Sequence, residues 1–382
     1  MLELIKREFG NIKSPLYRNS IYISLSSLTT ALAGFIFWAV ATRLYPAGEV
    51  GVASAVVSAL NLTFQLSMLG MNYALIRFYP EYSERAAGTA LFVTSIASLV
   101  FSLVYGLLMV NSKAFRGSSP AVFLAVFVVF SIVGTAYNVL STYAIARRKA
   151  EHSFIQSLLF SARFAFLFIL TALGALGIIS SFGLGLLLGL LYALVFVGGV
   201  LPRLDREFLR DAFRFSLGNY IAGIANTAPN YLMPTLVLSM LGKEEAAYFY
   251  MAFAVGNLIL FVPNAINTSF FVEGSHGLKN MKGTLKKAVF FSYIYLAFAT
   301  VFVWLFGGYI LRFFGEGYVG SLGLLKLMVL GGFLVVLVNF SITVLNIQKR
   351  VREVVAINVT KAVLFLGLSY LLMPRLGIEG VG

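Results

Sequence analysis

The stretch that decides the fold is RNSIYISLSSLTTALAGFIFWAVATRLYPAGEVGVASAVVSALNL, which runs from Arg18 to Leu62. A second stretch of the same form, residues 214–258, lies 196 positions further along the chain and aligns with it without a gap. Each contains a basic residue, an apolar run, a short acidic break and a second apolar run with an amide. Identities are near the number expected by chance, so the inference rests on the spacing. Repeated helix pairs of this kind are typical of duplicated membrane proteins, and we interpret the chain as two related halves facing a common cavity.

The composition places the chain in a membrane. Of its 382 residues, 59% are hydrophobic and only 12% are charged, and the mean hydropathy is +0.90. A soluble domain carries roughly 25% charged residues, so most of this chain must contact lipid. The first residues mix charges and lack an apolar core with a cleavage site, so we expect no cleaved signal peptide. Cysteine is absent, which excludes disulfides and thiol chemistry.

Apolar runs long enough to cross the hydrocarbon core predict the fold class. About 20 apolar residues are needed to cross it, and by this measure the sequence predicts eleven transmembrane helices. The first six lie near residues 22–41, 50–71, 86–110, 120–145, 153–173 and 178–201. The other five lie near residues 217–241, 246–271, 288–311, 322–344 and 354–372. The predicted class is therefore all-α, a polytopic membrane protein.

The spans and one charged segment predict the domain organisation. We expect an N-terminal lobe of six transmembrane helices at 1–202, an interfacial linker helix at 203–213 and a C-terminal lobe at 214–382 with five complete transmembrane helices. The linker mixes arginines with acidic residues, as an amphipathic helix at a membrane surface does. Residues 377–382 resemble an external turn that enters another span. We therefore expect the last helix or helices of the second lobe to be missing from this chain.

The basic residues are divided unevenly between the two sides of the predicted membrane. Alternate loops hold 20 of the 29 Lys and Arg residues on one side and 7 on the other, and Arg163 and Lys361 lie within spans. The positive-inside rule makes the richer side cytoplasmic and places the N-terminus inside. This distribution accounts for the net charge of +14 without nucleic acid, which we do not expect as a partner. The expected location is the plasma membrane.

Two cations are predicted to lie deep in the membrane. Arg163 is 14 residues past Lys149, roughly 21 Å along a helix, and Lys361 is 9 residues past Arg352, roughly 13 Å. A cation at such depth costs about 2.5–3.5 kcal/mol, and no acidic residue lies at comparable depth in any predicted span. We expect a water-filled, positively charged cavity. The alternative is that each side chain reaches back to a lipid headgroup or pairs with an acid.

Other polar residues form candidate substrate contacts. Arg18 and Arg214 begin the first helix of each half, where they either anchor the helix or bind an anionic headgroup as it enters. Asn226 and Asn230 lie in the seventh span beside two prolines, which free backbone carbonyls that need protein or water nearby. These amides either contact sugar hydroxyls or hydrogen-bond neighbouring helices.

No catalytic residue, cofactor or metal site is predicted. His152 and His276 are isolated in predicted cytoplasmic loops, so they give no set of metal ligands. Gly183, Gly185 and Gly189 resemble a phosphate-binding loop but lack its Gly-Lys-Ser/Thr ending. Close helix packing explains them instead.

Two runs of sequence resemble a known family: RLYPAGEVG at residues 43–51 and LGMNYALIRFYP at residues 69–80. They resemble the polysaccharide-biosynthesis flippases, which move lipid-linked oligosaccharides. These belong to the multidrug/oligosaccharidyl-lipid/polysaccharide exporter superfamily, together with multidrug and toxin extruders. The resemblance implies twelve or fourteen helices in two pseudo-symmetric six-helix lobes, arranged as a V around a cationic central cavity. The counterparts of the cationic lining that it implies are Arg18, Arg77, Arg163, Arg214 and Lys361.

Three classes of function compete. The first is a flippase that moves a polyprenyl-(di)phosphate-linked oligosaccharide to the external leaflet for cell-surface polysaccharide or glycan export. Its expected partners are that lipid, membrane lipids and the glycosyltransferases or polymerase of the pathway. The alternative is a cation-coupled multidrug/toxin extrusion antiporter of the same superfamily, which should carry acidic residues in its lobes, whereas the deep charges here are basic. The third, a membrane glycosyl polymerase or ligase, needs catalytic residues that usually lie on a large external loop. The predicted external loops of this chain are all short, so we do not expect an enzyme.

Overall fold

The computed structural model describes residues 15–110, 120–198, 200–275 and 280–382. Every regular element in these ranges is helical, which confirms the predicted all-α class. His276 and six basic residues of the charge count lie outside the described residues: Lys6, Arg7, Lys13, Lys113, Arg116 and Lys279.

The α-helices of the described ranges are numbered here in chain order. The first eight are α1 (Pro15–Leu44), α2 (Ala47–Ser67), α3 (Met71–Tyr82), α4 (Glu84–Val110), α5 (Pro120–Ala146), α6 (Ala150–Ser161), α7 (Arg163–Ile169) and α8 (Ala175–Phe196). The next five are α9 (Arg206–Met240), α10 (Lys243–Ser275), α11 (Met281–Arg312), α12 (Leu322–Ile347) and α13 (Val351–Leu376). Short 3-10 helices occupy Thr171–Leu173, Glu316–Ser321 and Gly377–Val381.

Ten segments of the described chain are long and apolar enough to cross a membrane. They coincide with ten of the eleven predicted spans, and the chain is a multi-pass membrane protein. The predicted seventh span corresponds to α9, which has 35 residues but is more polar than the other ten. Because α9 begins at Arg206, most of the predicted linker, 203–213, and the predicted seventh span form one continuous helix.

The chain forms two compact units. Unit 1 consists of Met1–Leu44 and Val56–Tyr220, and unit 2 consists of Tyr45–Ala55 and Ile221–Gly382. Helix α2 therefore starts in unit 2 and continues into unit 1, and α9 starts in unit 1 and continues into unit 2. The lobe boundaries inferred from the repeat stay a prediction.

Unit 1 packs α4 against α5, α1 against α6, and α8 against both α5 and α6. Aromatic rings from three of these helices meet in its core: the ring centroids of Phe37 and Phe182 are 6.4 Å apart, and those of Phe160 and Phe182 are 5.2 Å apart. Gly183 lets α8 pack closely against α5, because a Cβ at this position would lie 2.3 Å from the ring of Phe130 on α5. The packing role predicted for this glycine is confirmed.

Unit 2 packs α12 against α10 and α11. Phe270, Leu296, Val336 and Phe340 form a buried apolar cluster where these three helices meet. The rings of Phe270 and Phe340 have centroids 5.8 Å apart. Because lipid is as apolar as these side chains, close packing rather than removal from water holds the helices together.

The repeat predicted from the sequence is present in the helix boundaries. A shift of 196 positions carries the end of α1 onto the end of α9, and carries the start of α2 at Ala47 onto the start of α10 at Lys243. Asn61 and Asn257 are each the fifteenth residue of their helices.

The repeat continues in the turns that precede α6 and α13, now with a shift of 201 positions. Arg148 and Lys349 both have left-handed backbones, with φ of 58° and 60°. In each turn the amide of the following residue, Lys149 or Arg350, donates to the carbonyl oxygen five residues before it at 2.9 Å. This is the hydrogen bond of a Schellman motif. The shift grows by five because the fourth span has 27 residues in the first half and 32 in the second.

Candidate functional site

A lysine and an asparagine from two helices of unit 2 form a hydrogen bond, in which the lysine is half-buried and the asparagine is exposed. Lys361 is the eleventh residue of α13, and its ammonium group donates to the side-chain oxygen of Asn226 on α9 at 2.7 Å. An ammonium group removed from water needs hydrogen-bond acceptors, and Asn226 supplies one that lipid tails lack. Asn230 lies one turn further along α9, on the same face of the helix as Asn226.

Two prolines add polar backbone to this part of α9. Pro229 and Pro234 have no N–H, so the carbonyls four residues before them, at Ala225 and Asn230, have no helical donor. The helix nevertheless continues through both prolines to Met240. Within a membrane, freed carbonyls must be satisfied by protein or water. This stretch therefore presents both side-chain amides and backbone carbonyls.

Unit 2 holds further amides outside the predicted set. Asn339 donates to the side-chain oxygen of Asn264 at 3.2 Å. Asn358 is 4% exposed, and its side-chain oxygen has no hydrogen-bond partner among the described residues. Asn358 lies three residues before Lys361, on the same face of α13. Asn358 was not among the predicted site residues, although its three-residue spacing from Lys361 is visible in the sequence and could have identified it.

In unit 1, the deep arginine is packed among phenylalanine rings. Arg163 is 3% exposed. Its guanidinium carbon lies 3.7 Å from the ring centroid of Phe160, 5.3 Å from that of Phe37 and 5.6 Å from that of Phe182. One guanidinium nitrogen donates to the carbonyl of Phe160 at 3.2 Å. The side chain is thus enclosed within unit 1 and does not form an open cationic surface there.

The backbone around Arg163 makes room for the cation. The fifth span is interrupted at Ala162, between α6 and α7, and Arg163 is the first residue after the break. On α8, a Cβ at Gly185 would lie 2.7 Å from Cβ of Arg163 and 2.8 Å from the carbonyl oxygen of Phe160. Glycine at this position lets α8 pack directly against the break, and the packing role predicted for Gly185 is confirmed.

The other arginines of the predicted lining have exposed side chains. Arg18 lies 3.6 Å from Glu151, measured between nitrogen and oxygen. Arg77 lies 4.0 Å from Glu81, and Arg214 is exposed near the start of α9. Exposed ion pairs of this kind contribute about 0–1 kcal/mol. These contacts therefore do not fix the arginines in one arrangement.

The two deep cations occupy neighbouring positions in the repeat, not equivalent ones. Counted from the left-handed residue of the preceding turn, Arg163 is 15 residues further along and Lys361 is 12. The repeat therefore matches Lys361 with Phe160, about 4.5 Å along the helix from Arg163. Of the seven predicted site residues, the structure joins Asn226 and Lys361 by a hydrogen bond and packs Arg163 separately.

Acidic residues lie only near the ends of the ten spans in the described chain. Each Asp or Glu in these spans is within three residues of a span end. The residues concerned are Glu49, Glu84, Glu151, Glu244, Glu245, Glu273, Glu316, Glu353 and Glu379. The fixed charge in the middle of these spans is therefore positive.

Polar contacts within unit 1 hold the start of α9 and the residue before it. The hydroxyl of Tyr82 donates to the carboxylate of Asp211 at 2.9 Å, and Arg85 pairs with Asp205 at 3.2 Å. The hydrogen bond to Asp211, with a smaller effect from burial, raises the pKa of Tyr82 to about 12, because it favours the protonated phenol. No predicted site residue belongs to this cluster, which fixes the start of α9.

Ten spans in the described part of the chain and the repeat in its helix boundaries define a polytopic helical membrane protein. No protein-family model matches the chain, and no curated protein sequence matches it. Solved structures do match it. One is the inward-facing conformation of a multidrug resistance MATE family transporter of the MOP superfamily, with a TM-score of 0.72 and 14% identity over 95% of this chain and 92% of that chain.

Two further structures show the same likeness. An outward-facing multidrug resistance MATE family transporter gives a TM-score of 0.62 and 14% identity over 95% of this chain and 90% of that chain. A MOP superfamily transporter from Pyrococcus furiosus, whose binding pocket has reversed polarity, gives 0.61 and 16% identity over 96% of this chain and 90% of that one. At such identities the likeness shows the fold, and the chain has the fold of the MATE transporters.

Proposed function

We propose that this chain is a membrane transporter that moves a polyprenyl-(di)phosphate-linked oligosaccharide from the cytoplasmic to the external leaflet by alternating access. The fold likeness to transporters in inward- and outward-facing conformations supports the transport step. The resemblance of residues 43–51 and 69–80 to flippases supports the cargo. Transport would serve cell-surface polysaccharide or glycan export, with the chain in the plasma membrane and its N-terminus in the cytoplasm.

The observation that supports this cargo best is the sign of the charge inside the spans. Arg163 and Lys361 lie deep, whereas the acidic residues of the ten described spans lie at their ends. A phosphate near the middle of a membrane is costly unless fixed cations offset its lost hydration. For the Pyrococcus furiosus transporter, reversed pocket polarity suggests a different function. In this chain the positive sign of the deep charges favours an anionic cargo.

The hydrogen-bonded pair in unit 2 is the proposed phosphate contact. The ammonium group of Lys361 has three donors, of which the Asn226 contact uses one. A phosphate oxygen would accept a charge-assisted hydrogen bond, which is roughly twice as strong as a neutral one. The amide of Asn230, one turn away, would bind sugar hydroxyls. The exposed arginines would meet the headgroup at the cytoplasmic face: Arg18, Arg77 and Arg214.

The alternative is a cation-coupled multidrug extrusion antiporter of the same superfamily. The structural likeness to multidrug resistance transporters favours it. Such a transporter needs carboxylates at depth to bind Na⁺, H⁺ or a cationic drug. In the described spans the carboxylates lie at the ends, so an anionic cargo is better supported.

Reconstitution into liposomes tests the proposal. The probe is a fluorescent polyprenyl-diphosphate-linked sugar, whose outer-leaflet fraction is followed with a membrane-impermeant quencher. We expect the wild-type protein to accelerate its movement between leaflets. Replacing Lys361 with Gln should slow this movement at least about tenfold, since a hydrogen bond to a charged group contributes about 1.5–3 kcal/mol. The matched control is Arg375→Gln, which removes a positive charge from an exposed position on the same helix.

The control should move the lipid within about twofold of the wild-type rate, as for a surface substitution. A wild-type rate no higher than that of protein-free liposomes would overturn the proposal. Equal slowing by Lys361→Gln and Arg375→Gln would remove Lys361 from the site. Accumulation of ethidium driven by a proton or sodium gradient, without lipid movement, would establish the alternative.

A further inference from the structure

The rings around Arg163 form a preassembled aromatic cage, which comprises Phe37, Phe160 and Phe182. They come from α1, α6 and α8, and all three are nearly or fully buried. Phe182 meets Phe37 and Phe160 at interplanar angles of 64° and 86°, so the rings support one another edge to face. Trp38 packs against Phe37 at 83° with centroids 5.3 Å apart. The cage walls are therefore held by contacts that do not involve the arginine.

The chemistry of this cage is that of an organic-cation site. All three ring centroids lie within 6 Å of the guanidinium carbon, the range in which ring faces attract cations. The carbonyl of Phe160 adds one acceptor at 3.2 Å. Proteins that bind free organic cations use such a combination of several aromatic faces and a small number of acceptors.

We propose that the aromatic cage is an organic-cation binding site that this chain fills with its own guanidinium group. Arg163 acts as a tethered occupant, and its presence keeps small free cations out of unit 1. It is then a specificity determinant against cationic ligands as well as a packing residue. This inference does not depend on the proposed flippase function, because it concerns only contacts inside unit 1.

Removing the side chain should expose the site to a free ligand of the same shape. An alanine at position 163 retains Cβ, and ethylguanidinium replaces the atoms that are lost. Gly34 bounds the far side of the cage, where a Cβ would lie 3.5 Å from a guanidinium nitrogen, so the space matches the arginine closely. N-ethylurea has nearly the same shape without the charge, and it separates cation binding from simple filling of a cavity.

The experiment is thermal unfolding of purified Arg163→Ala in detergent, titrated with either compound at millimolar concentrations. We expect ethylguanidinium to raise the unfolding temperature with saturation, and to bind about tenfold or more tightly than N-ethylurea. The wild-type protein should respond to neither compound, because its cage is occupied. Adding Phe160→Leu, which removes the closest ring, should abolish the response.

Three results would overturn the proposal: equal stabilisation by the urea, an equal response of the wild type, or rescue that persists with Phe160→Leu. If Arg163→Ala does not yield folded protein, Arg163→Lys and Arg163→Met decide the matter. The rings attract a charge, so Lys should keep a higher unfolding temperature than Met. Met equal to or above Lys would show that the cage selects for volume and not for a cation.

Discussion

Replacing Gly185 with Ala tests whether α8 packs against the break that holds Arg163. The new Cβ would lie 2.7 Å from Cβ of Arg163, 2.8 Å from the carbonyl oxygen of Phe160 and 3.2 Å from its ring. The first two atoms belong to or adjoin the backbone, so rotation of a side chain cannot relieve the contact. Ordinary contact begins at 3.4 Å, so α8 must move away from the break.

Two opposed effects set the magnitude. Alanine favours a helix over glycine by about 1 kcal/mol, whereas overpacking a well-filled interior costs about 1–3 kcal/mol. Gly218→Ala is the matched control, because Gly218 lies on an α-helix of the same unit with nothing within 4 Å of its would-be Cβ. Both variants gain the helix term, so the difference between their free energies of unfolding equals the overpacking cost, about 1–3 kcal/mol.

The assay is unfolding in mixed micelles as the fraction of denaturing detergent rises, with wild type and both variants measured together. We expect Gly218→Ala to be as stable as wild type or more stable, and Gly185→Ala to be less stable than Gly218→Ala by the stated amount. Gly185→Ala matching or exceeding the control would refute the close packing of α8 on the break, and with it the tight fit of the aromatic cage.

Two other predictions concern residues outside the ten spans or at the end of one. The raised pKa of Tyr82 adds stability that is fully present below the unfolded pKa of about 10 and is lost as the pH rises through about 12. The difference in free energy of unfolding between wild type and Tyr82→Phe should therefore shrink over that range. A constant difference would contradict the hydrogen bond. The chain has no cysteine, so a single cysteine introduced in place of Lys149 or Lys243 reports the topology of its loop. An impermeant thiol reagent added outside intact cells should label only position 243. Labelling at position 149 would contradict the predicted orientation.

The spans and the repeat were predictable because length, apolarity and spacing encode them directly. Ten spans needed only long apolar runs, and the 196-residue shift carried helix ends onto helix ends. A helix is present where the seventh span was predicted, although its amides and prolines keep it out of the ten apolar spans. Its continuity with the linker was not predictable, because the charged residues from Arg206 to Arg214 suggest a separate surface helix when they are considered alone.

In the motif RLYPAGEVG, some structural roles can be predicted from the sequence and others cannot. Its Glu49 lies in the first turn of α2, where the helix dipole favours a carboxylate. Glycine is needed at position 51 because of residues elsewhere in unit 2. A Cβ at this position would lie 1.8 Å from the carbonyl oxygen of Lys243 and 2.9 Å from the amide nitrogen of Ala247. Residues almost 200 positions apart make that contact, and no local pattern reports it.

The candidate site was predictable in its charge but not in its partners. The depth of Arg163 and Lys361 followed from counting residues. The partners of Arg163 did not, since Phe37 and Phe182 come from other helices and are two among 36 phenylalanines. Asn226 was predicted either to contact sugar hydroxyls or to hydrogen-bond a neighbouring helix, and the structure gives it a hydrogen bond to Lys361 on another helix. Such pairings depend on how helices pack side by side, which hydrophobic periodicity leaves open.

The internal repeat gives an independent reason to regard the positive charge as functional. The two halves share the turn before the fifth span, yet the residue equivalent to Arg163 is Leu364 and the residue equivalent to Lys361 is Phe160. A cation simply copied by duplication would occupy one position in both halves. Here each half places a cation within one turn of the same point, and each holds it differently, by rings in unit 1 and by an amide in unit 2. Packing alone accounts for neither choice, because an apolar side chain in a membrane avoids the cost of burying a charge. The two halves therefore agree in carrying a cation near this point but differ in residue and partner, which supports the proposed anionic cargo at Lys361, whereas Arg163 is enclosed by its rings.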